Sequence, residues 1–483
     1  MPARKVGLPN DVPKDLADGL AAIRASMDVR EDFEAPVLAA AEQAAAGPIL
    51  PDLDRTDLEL ITIDPAGSHD LDQAMHLTRK DSGYLISYAI ADVAAFVMPG
   101  GPIDLEAHRR GMTLYAPDRR IPLHPQVLSE GAASLLPDQL RPALLWTLNL
   151  DAQGQMTDAE VVRARVRSRE QLTYEQAQSE IDGGSPRETL ALLKEVGTWR
   201  QQRERDRGGV SLEIPEQEIH PPADDHGWQL RFRAPFPAEG WNAQISLLTG
   251  MAAAHIMLYG QVGILRTMPP ADHESLRRLH QTAKALKINW PAELDYPEFV
   301  RTLDPRRPVD AAMINACTRL FRGAGYRAFS GGIPTDAEHA ALAIDYAHVT
   351  APLRRLVDRY AGEICVALCA GDPVPTWVLR ALDALPAEMA EADRRAKKYE
   401  RAIIDLMELC LLQDRVGETF TATVIEVDKN KRRGVVMIAD PAVEAGVRGD
   451  DLPLGQEIQV RLASADLAAG AVGFDFPLAP ARA

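Results

Sequence analysis

Residues 58–75, LELITIDPAGSHDLDQAM, set three aspartates within nine residues directly behind an apolar strand, so a fold that buries the strand must also accommodate three neighbouring charges. Pro65 biases Asp64 toward extended backbone, which leaves Asp64 at a strand exit. Asp70 and Asp72 are two apart, and in an extended segment both carboxylates project the same way. Convergent carboxylates repel unless a cation lies between them, and hard oxygen donors suit magnesium or manganese. A calcium loop of the EF-hand kind fits poorly, because counting from Asp70 the sixth position is Met75 instead of glycine and the twelfth is Asp81. A hydrated acidic surface loop and a metal site for phosphoryl-transfer chemistry both remain open on these residues alone.

A second cue lies far downstream. YAHVTAPLRRLVDRY, residues 346–360, places Arg354 and Arg355 just after a proline at a predicted helix start, where positive charge opposes the helix dipole. An anionic partner is therefore expected. A guanidinium beside a metal can stabilise charge developing on a phosphorane, and a surface arginine pair is the plainer alternative.

Around these cues the pattern divides into three parts. Residues 1–50 carry two helical patterns, DLADGLAAIRASM and FEAPVLAAAEQAAA, closed by GPILPD. From about residue 54 strands follow: LELITID, YLISYAIADVAAFV, LLWTLNLD and EVVRARVRSRE. The last alternates with period two, so Arg163, Arg165, Arg167 and Arg169 share one face, either solvated or turned to phosphate. Helices are predicted through 241–285, 308–325, 350–371 and 385–414. After residue 416 five short strands, FTATVIEV, RGVVMIA, AGVRG, QEIQVRLASA and AVGFDF, suit a small OB-type barrel. The expected fold is α+β: a helical segment over 1–53, a large mixed body over 54–415 and a barrel over 416–483.

Composition narrows the function classes. A net charge of -17 argues against a uniformly basic nucleic-acid coat and leaves room for a local basic channel. Cys317, Cys365, Cys369 and Cys410 form no CxxC pair, so reduced cysteines are expected and no zinc site. No apolar run approaches the roughly 20 residues of a membrane span, and MPARKVGLPNDVPKDL lacks a signal-peptide core; a soluble, cytoplasmic protein is expected.

Taken together, these stretches resemble the ribonuclease II (RNB) family of exoribonucleases. RTDLELITIDPAGSHDLDQAM is similar to the family's acidic signature, a TIDP segment followed by a D-x-D-D-A run. ISYAIADVAAFVMPGGPIDLEAHRRGMTLYAPDRRIPLHPQVLSEGAASLLPDQLRP resembles the block that follows it. YAHVTAPLRRLVDRY resembles the family's Y-x-H-x-T-S-P-I-R-R-Y run, with Ala351 for serine and Leu356 for tyrosine. The similarity extends over about residues 54–370.

The resemblance implies a metal-dependent, processive 3′ to 5′ exoribonuclease that releases nucleoside 5′-monophosphates from single-stranded RNA, with magnesium or manganese as cofactor. By the same resemblance Asp64, Asp70 and Asp72 hold the metal, Arg354 is catalytic, and Tyr115 and Tyr174 pack on the terminal nucleotides. Arg355 and His348, in the arginine run, count as further RNA contacts. A through-channel nuclease of this kind works as a monomer.

Three departures stand out. Gln73 replaces the fourth aspartate, so one negative charge is missing from the metal shell, although an amide oxygen can coordinate weakly. In WNAQISLLTGMAAA, Ser246 stands where the family carries a glutamate that helps define the 3′ end. Residues 1–50 leave no room for paired cold-shock barrels. The C-terminal barrel resembles an RNA-binding OB module with few aromatics, Phe420, Phe474 and Phe476, and a basic KNKRR cluster at 429–433. Residues 417–483 hold 7 basic against 10 acidic residues, a net of -3, so an RNA face there must be a patch. Two alternatives stay open: an RNA-binding or regulatory protein without turnover, and a metal-dependent phosphodiesterase for DNA or a small nucleotide.

Overall fold

The computed structural model describes residues 14–210, 216–220, 229–233, 235–304, 307–321, 323–428, 432–438, 443–466 and 471–476. At its centre β1 (Leu60–Asp64), β2 (Gln73–Lys80), β3 (Gly83–Ala91) and the strands Leu140–Leu150 and Met156–Thr173 close into a five-stranded barrel. Sequential neighbours are antiparallel; closure comes from a parallel pairing of β1 with Met156–Thr173, which sets Asp64 across from Thr173. Ile61, Ile63, Met75, Leu77, Ile86, Tyr88, Trp146 and Leu148 belong to one buried cluster. The apolar helix Pro237–Tyr259 joins it through Trp241, Ile245 and Leu248, which explains why β3 is buried along almost its whole length.

β2 escaped the reading of the sequence because QAMHLTRK offers only Met75 and Leu77 as strong apolar residues, and its pairing with β3 supplies the rest. The helix predicted over 241–285 is interrupted. Pro237–Tyr259 ends at Gly260, a strand Val262–Thr267 pairs antiparallel with Gly325–Ser330, and a second helix covers His273–Ala285. The helix predicted over 308–325 likewise ends at Cys317, with a short 3₁₀ turn Thr318–Phe321 before that partner strand. Local periodicity carries no sign of a long-range pairing, and a short apolar run reads equally as helix or strand.

The N-terminal helices are part of the body. Leu16 and Leu20 of helix Lys14–Ser26 pack with Leu114, Ile121, Tyr399, Ile403 and Met407, and Val37 and Ala41 of helix Ala35–Ala46 join a cluster on the barrel's other side. The long helix Leu385–Leu412 leads to the second barrel, where Leu412 enters the core. Its strands are Thr419–Asp428, Arg433–Ile438, Val443–Arg448, Glu457–Asp466 and Ala471–Asp475, close to the five segments read from the sequence. Phe420 and Phe474 lie edge-to-face in that core, 5.8 Å apart, so they hold the barrel together and are not free to stack on bases. Of KNKRR, residues 429–431 lie outside the described residues, while Arg432 and Arg433 are exposed and paired with Asp450 and Asp428. Among the described residues no helix is long and apolar enough to cross a membrane.

Candidate active site

The acidic loop is built from the barrel rim. After Asp64 the chain turns at once, with the Ser68 hydroxyl donating to the Pro65 carbonyl at 2.8 Å. Leu71 is buried and held on both backbone sides: its N–H donates to Ser134 Oγ at 2.9 Å, and its carbonyl accepts from Leu135 N–H at 3.0 Å. That anchor leaves the residues on either side facing away from Leu71. Asp70 Oδ1 accepts from Arg120 Nη1 at 2.6 Å, and Tyr115 Oη lies 3.4 Å from its Oδ2. Asp72 is buried; its Oδ1 accepts from Leu353 N–H at 2.8 Å and its Oδ2 lies 3.4 Å from Arg354 Nε. Burial pushes the Asp72 carboxyl up to about 8, against the pull of Arg354 and the Leu353 N–H, with Asp70 and Asp358 adding to the rise.

The arginine loop, residues 350–355, runs directly into helix Leu356–Ala370, so the helix starts later than the predicted 350. Asp358 in its first turn accepts from Ala351 N–H at 2.7 Å and takes a two-pronged contact from Arg355 at 2.8 and 2.9 Å. Here is the anionic partner expected for the arginine pair: Asp358 serves Arg355, and Asp72 serves Arg354. Residues 111–113 run alongside this loop, with Thr113 N–H donating to the Arg354 carbonyl and Leu356 N–H to the Gly111 carbonyl, both at 3.0 Å. Gly111 has φ +69°, and a Cβ there would lie 2.5 Å from Ala392 Cβ, so the position takes glycine only. The pairing delivers Tyr115 to the same pocket as Arg354 and Asp70.

Tyr174 reaches the pocket from the barrel's closing seam. Thr173, across from Asp64, caps helix Tyr174–Asp182 through a capping box with Gln176. The Tyr174 hydroxyl accepts from Asn242 Nδ2 at 3.1 Å; burial, with Asp64 adding, pushes it up to about 12.

The structure therefore brings Asp70, Asp72, Arg354 and Tyr115 together, with Asp64 beside Tyr174 at the seam and Tyr88 of β3 near both Asp64 and Asp72. It gives the other sequence candidates different surroundings. Arg355 is locked on Asp358, and His348 Nδ1 meets the Tyr326 hydroxyl at 2.7 Å, with burial holding its ring well below the ordinary range and hence neutral. Both are half-buried and already partnered within the protein. Gln73 uses both ends of its carboxamide inside the protein: Nε2 donates to the Thr350 carbonyl at 2.6 Å and Oε1 accepts from the Tyr88 hydroxyl. Tyr88 reaches this oxygen because it stands diagonally across β2 and β3 from Gln73. The arginine rib of Met156–Thr173 is partly exposed and paired within the protein, with Arg163 on Asp92 and Glu363, Arg165 on Asp54, and Arg169 donating to the Thr56 carbonyl.

Sequence reading missed Arg120, Tyr88 and Asn242. Arg120 could have been found from PDRRIPL, since a basic residue a short hairpin away from Tyr115 faces the same way as that tyrosine.

Among the described residues no three His, Cys, Asp or Glu side chains stand in ready metal-binding geometry. Two guanidinium groups, Arg120 on Asp70 and Arg354 on Asp72, lie where positive charge is needed. The donor chemistry still fits a hard divalent ion: carboxylate oxygens around a buried acid whose charged form burial penalises.

Comparison with known proteins agrees with this picture. Residues 53–369 match the RNB domain, and residues 418–476 match the RNase II-type exonuclease C-terminal S1 domain. Ribonuclease R of Aquifex aeolicus is 25% identical over 456 residues, covering 86% of this chain and 63% of that protein. Ribonuclease R of Escherichia coli is 26% identical over 412 residues, covering 80% of this chain and 49% of that protein. The chain thus spans about half to two-thirds of the length of these relatives. The Mycoplasma genitalium RNase R structure, solved in complex with ribose methylated single-stranded RNA, superposes with a TM-score of 0.85 at 18% identity, covering 96% of this chain and 78% of that one. Yeast Ssd1, described as a pseudonuclease, shares the fold at a TM-score of 0.69 and 17% identity, covering 92% of this chain and 57% of that one. With more than half its length matched to the RNB domain, the chain belongs to the RNB family.

Proposed function

We propose that the chain is a metal-dependent, processive exoribonuclease that shortens single-stranded RNA from its 3′ end and releases nucleoside 5′-monophosphates in the cytoplasm. The observation that carries this reading is the convergence of a buried acid, Asp72, with a partly exposed guanidinium, Arg354, 3.4 Å away, beside Asp70 and Tyr115. A binding protein has little use for a buried acid pair facing a phosphate backbone. The names of its relatives support the same class.

Asp64, Asp70 and Asp72 would hold magnesium or manganese, which when bound supplies an activated water and a Lewis acid for the phosphate. Arg354 keeps one face in solvent and can turn from Asp72 to the phosphate, where it would stabilise the charge of the transition state. Tyr115 and Tyr174 would pack on the terminal nucleotides, holding the scissile bond in register whatever the base.

One observation favours a second reading, a protein that holds RNA without cutting it: the neutral Gln73 at the fourth acidic position. The two readings separate when 5′-labelled and 3′-labelled oligo-RNA are incubated with magnesium and, in parallel, with EDTA. Stepwise shortening from the 3′ end that EDTA stops is the expected result. Intact RNA held in a tight complex would establish the second reading, and equal cutting of DNA would move the substrate class away from RNA.

A further inference from the structure

Two of the departures from the family pattern, Gln73 and Ser246, are far apart in sequence and meet in space. Ser246 Oγ lies 2.8 Å from Thr350 Oγ1, and the Tyr88 hydroxyl is its neighbour. The Tyr88 hydroxyl donates to Gln73 Oε1, and Gln73 Nε2 donates to the Thr350 carbonyl. Three bonds thus link the four residues, Tyr88 to Gln73, Gln73 to Thr350, and Thr350 with Ser246, and bring the Ser246 hydroxyl back beside that of Tyr88. Tyr88 and Thr350 are buried, so none of these bonds is traded lightly for water.

The circuit joins four elements: β2 through Gln73, β3 through Tyr88, helix Pro237–Tyr259 through Ser246, and the arginine loop through Thr350. Asp72 and Gln73 are consecutive and grip that loop with opposite polarity, Asp72 accepting from Leu353 N–H and Gln73 donating to the Thr350 carbonyl. A carboxylate at position 73 could not donate to that carbonyl and would face its oxygen at close range.

Resting on the assignment of Asp64, Asp70 and Asp72 as the ion site, we propose that Gln73, Tyr88, Ser246 and Thr350 form a neutral positioning ring that fixes the Arg354 loop against the acidic strand. The ring closes the fourth acidic position to cations, so the pocket takes a single divalent ion on its three aspartates. Gln73 and Ser246 then act as one unit, substituting hydrogen bonds for charge, and are not signs of decay. Gln73→Asp would accordingly slow the enzyme instead of restoring a missing ligand.

The test counts Mn2+ ions bound to the intact chain by calorimetry and paramagnetic resonance, and separates kcat from KM on oligo-RNA. Gln73→Ala, Gln73→Asp and the volume-conserving Tyr88→Phe are compared with wild type after thermal melts confirm folding. The expected result is one Mn2+ per chain in all four proteins, with kcat lowered about ten- to a hundredfold in the variants and KM for RNA little changed. Two ions in wild type, one of them lost in Gln73→Ala, would make Gln73 a ligand and overturn the ring. One ion throughout with wild-type kcat in Gln73→Ala and Tyr88→Phe would overturn its positioning role. No Mn2+ on wild type would sink the ion-site assignment itself, and with it the single-ion ring.

Discussion

The described residues form two closed five-stranded barrels, each with one parallel pair, and the two differ in what stands at their rims. The second barrel is built on Phe420, Val424, Val436, Val460 and Phe474, and its described rim carries exposed pairs such as Arg432 with Asp450. In the first barrel, buried acids stand at the rim: Asp72 and Asp92 are almost fully enclosed. The difference lies in what crosses the mouth. Residues 65–72 and 350–355 fold over the first barrel and bring in hydrogen-bond donors and guanidinium groups that let acids be buried. At the second barrel a buried acid, Glu408 of the long helix, accepts the Glu444 N–H, while Arg432 and Asp450 pair in water. Similar barrels can therefore serve as an active-site frame or as a holding module, according to the loops that cap them.

The sharpest way to break this contrast is Asp72→Asn. Turnover should fall by on the order of 10³-fold or more, with RNA binding kept or tightened. Gel-shift and single-turnover rates measure both, and an unchanged rate would return the first barrel to the same passive class as the second.

Next in size is Tyr115→Ala, which should cost about 1–3 kcal/mol of RNA affinity through lost stacking, uniformly across base sequences. Fluorescence anisotropy with homopolymers checks this. A loss confined to one base would turn the tyrosine from a general platform into a reader of sequence.

The acid distribution also predicts a pH effect in the metal-free protein. Asp72 has a folded-state value near 8, above its unfolded value of 3.8, so its contribution to stability is present below the unfolded value and is lost as pH rises toward 8. Without metal, the melting temperature should fall between about pH 4 and pH 8, and less so in Asp72→Asn. Magnesium should raise it more at pH 8 than at pH 5, since the ion binds the ionised form. Calorimetric scans with EDTA and with magnesium read this directly, and a magnesium shift independent of pH would contradict it.

The smallest effect belongs to the second barrel. Arg432→Ala with Arg433→Ala should weaken RNA binding equally for all sequences and lower the salt slope by about 0.7 per lost phosphate contact. Salt titrations measure it, and a change in cleavage rate at saturating RNA would give this barrel a share in the chemistry.

How far each region was legible from sequence follows the same divide. The second barrel was nearly transparent, because FTATVIEV, RGVVMIA and their successors alternate in short runs between turn residues, and the interior is defined by hydrophobicity alone. In the first barrel the acids and Arg354 were visible as motifs, but β2 was not, since its burial comes from pairing with β3. Gln73 shows in the sequence only as an amide in place of an acid, and its partners Tyr88 and Thr350 appear only in the fold. Arg355 and His348 stand out in the sequence through their place beside Arg354, whereas their partners Asp358 and Tyr326 show only in the fold. Polar partners that lie far apart in the chain leave no local trace, and it is these that distinguish one barrel from the other.

The most direct test of the central claim uses an RNA oligomer with a single sulfur replacing a non-bridging oxygen at its 3′-terminal linkage. A hard ion on Asp64, Asp70 and Asp72 must contact that phosphate, so removal of the last nucleotide should be slow with magnesium and recover with the more thiophilic manganese. Equal rates on oxygen and sulfur linkages with either metal, or cutting that continues in EDTA, would contradict it.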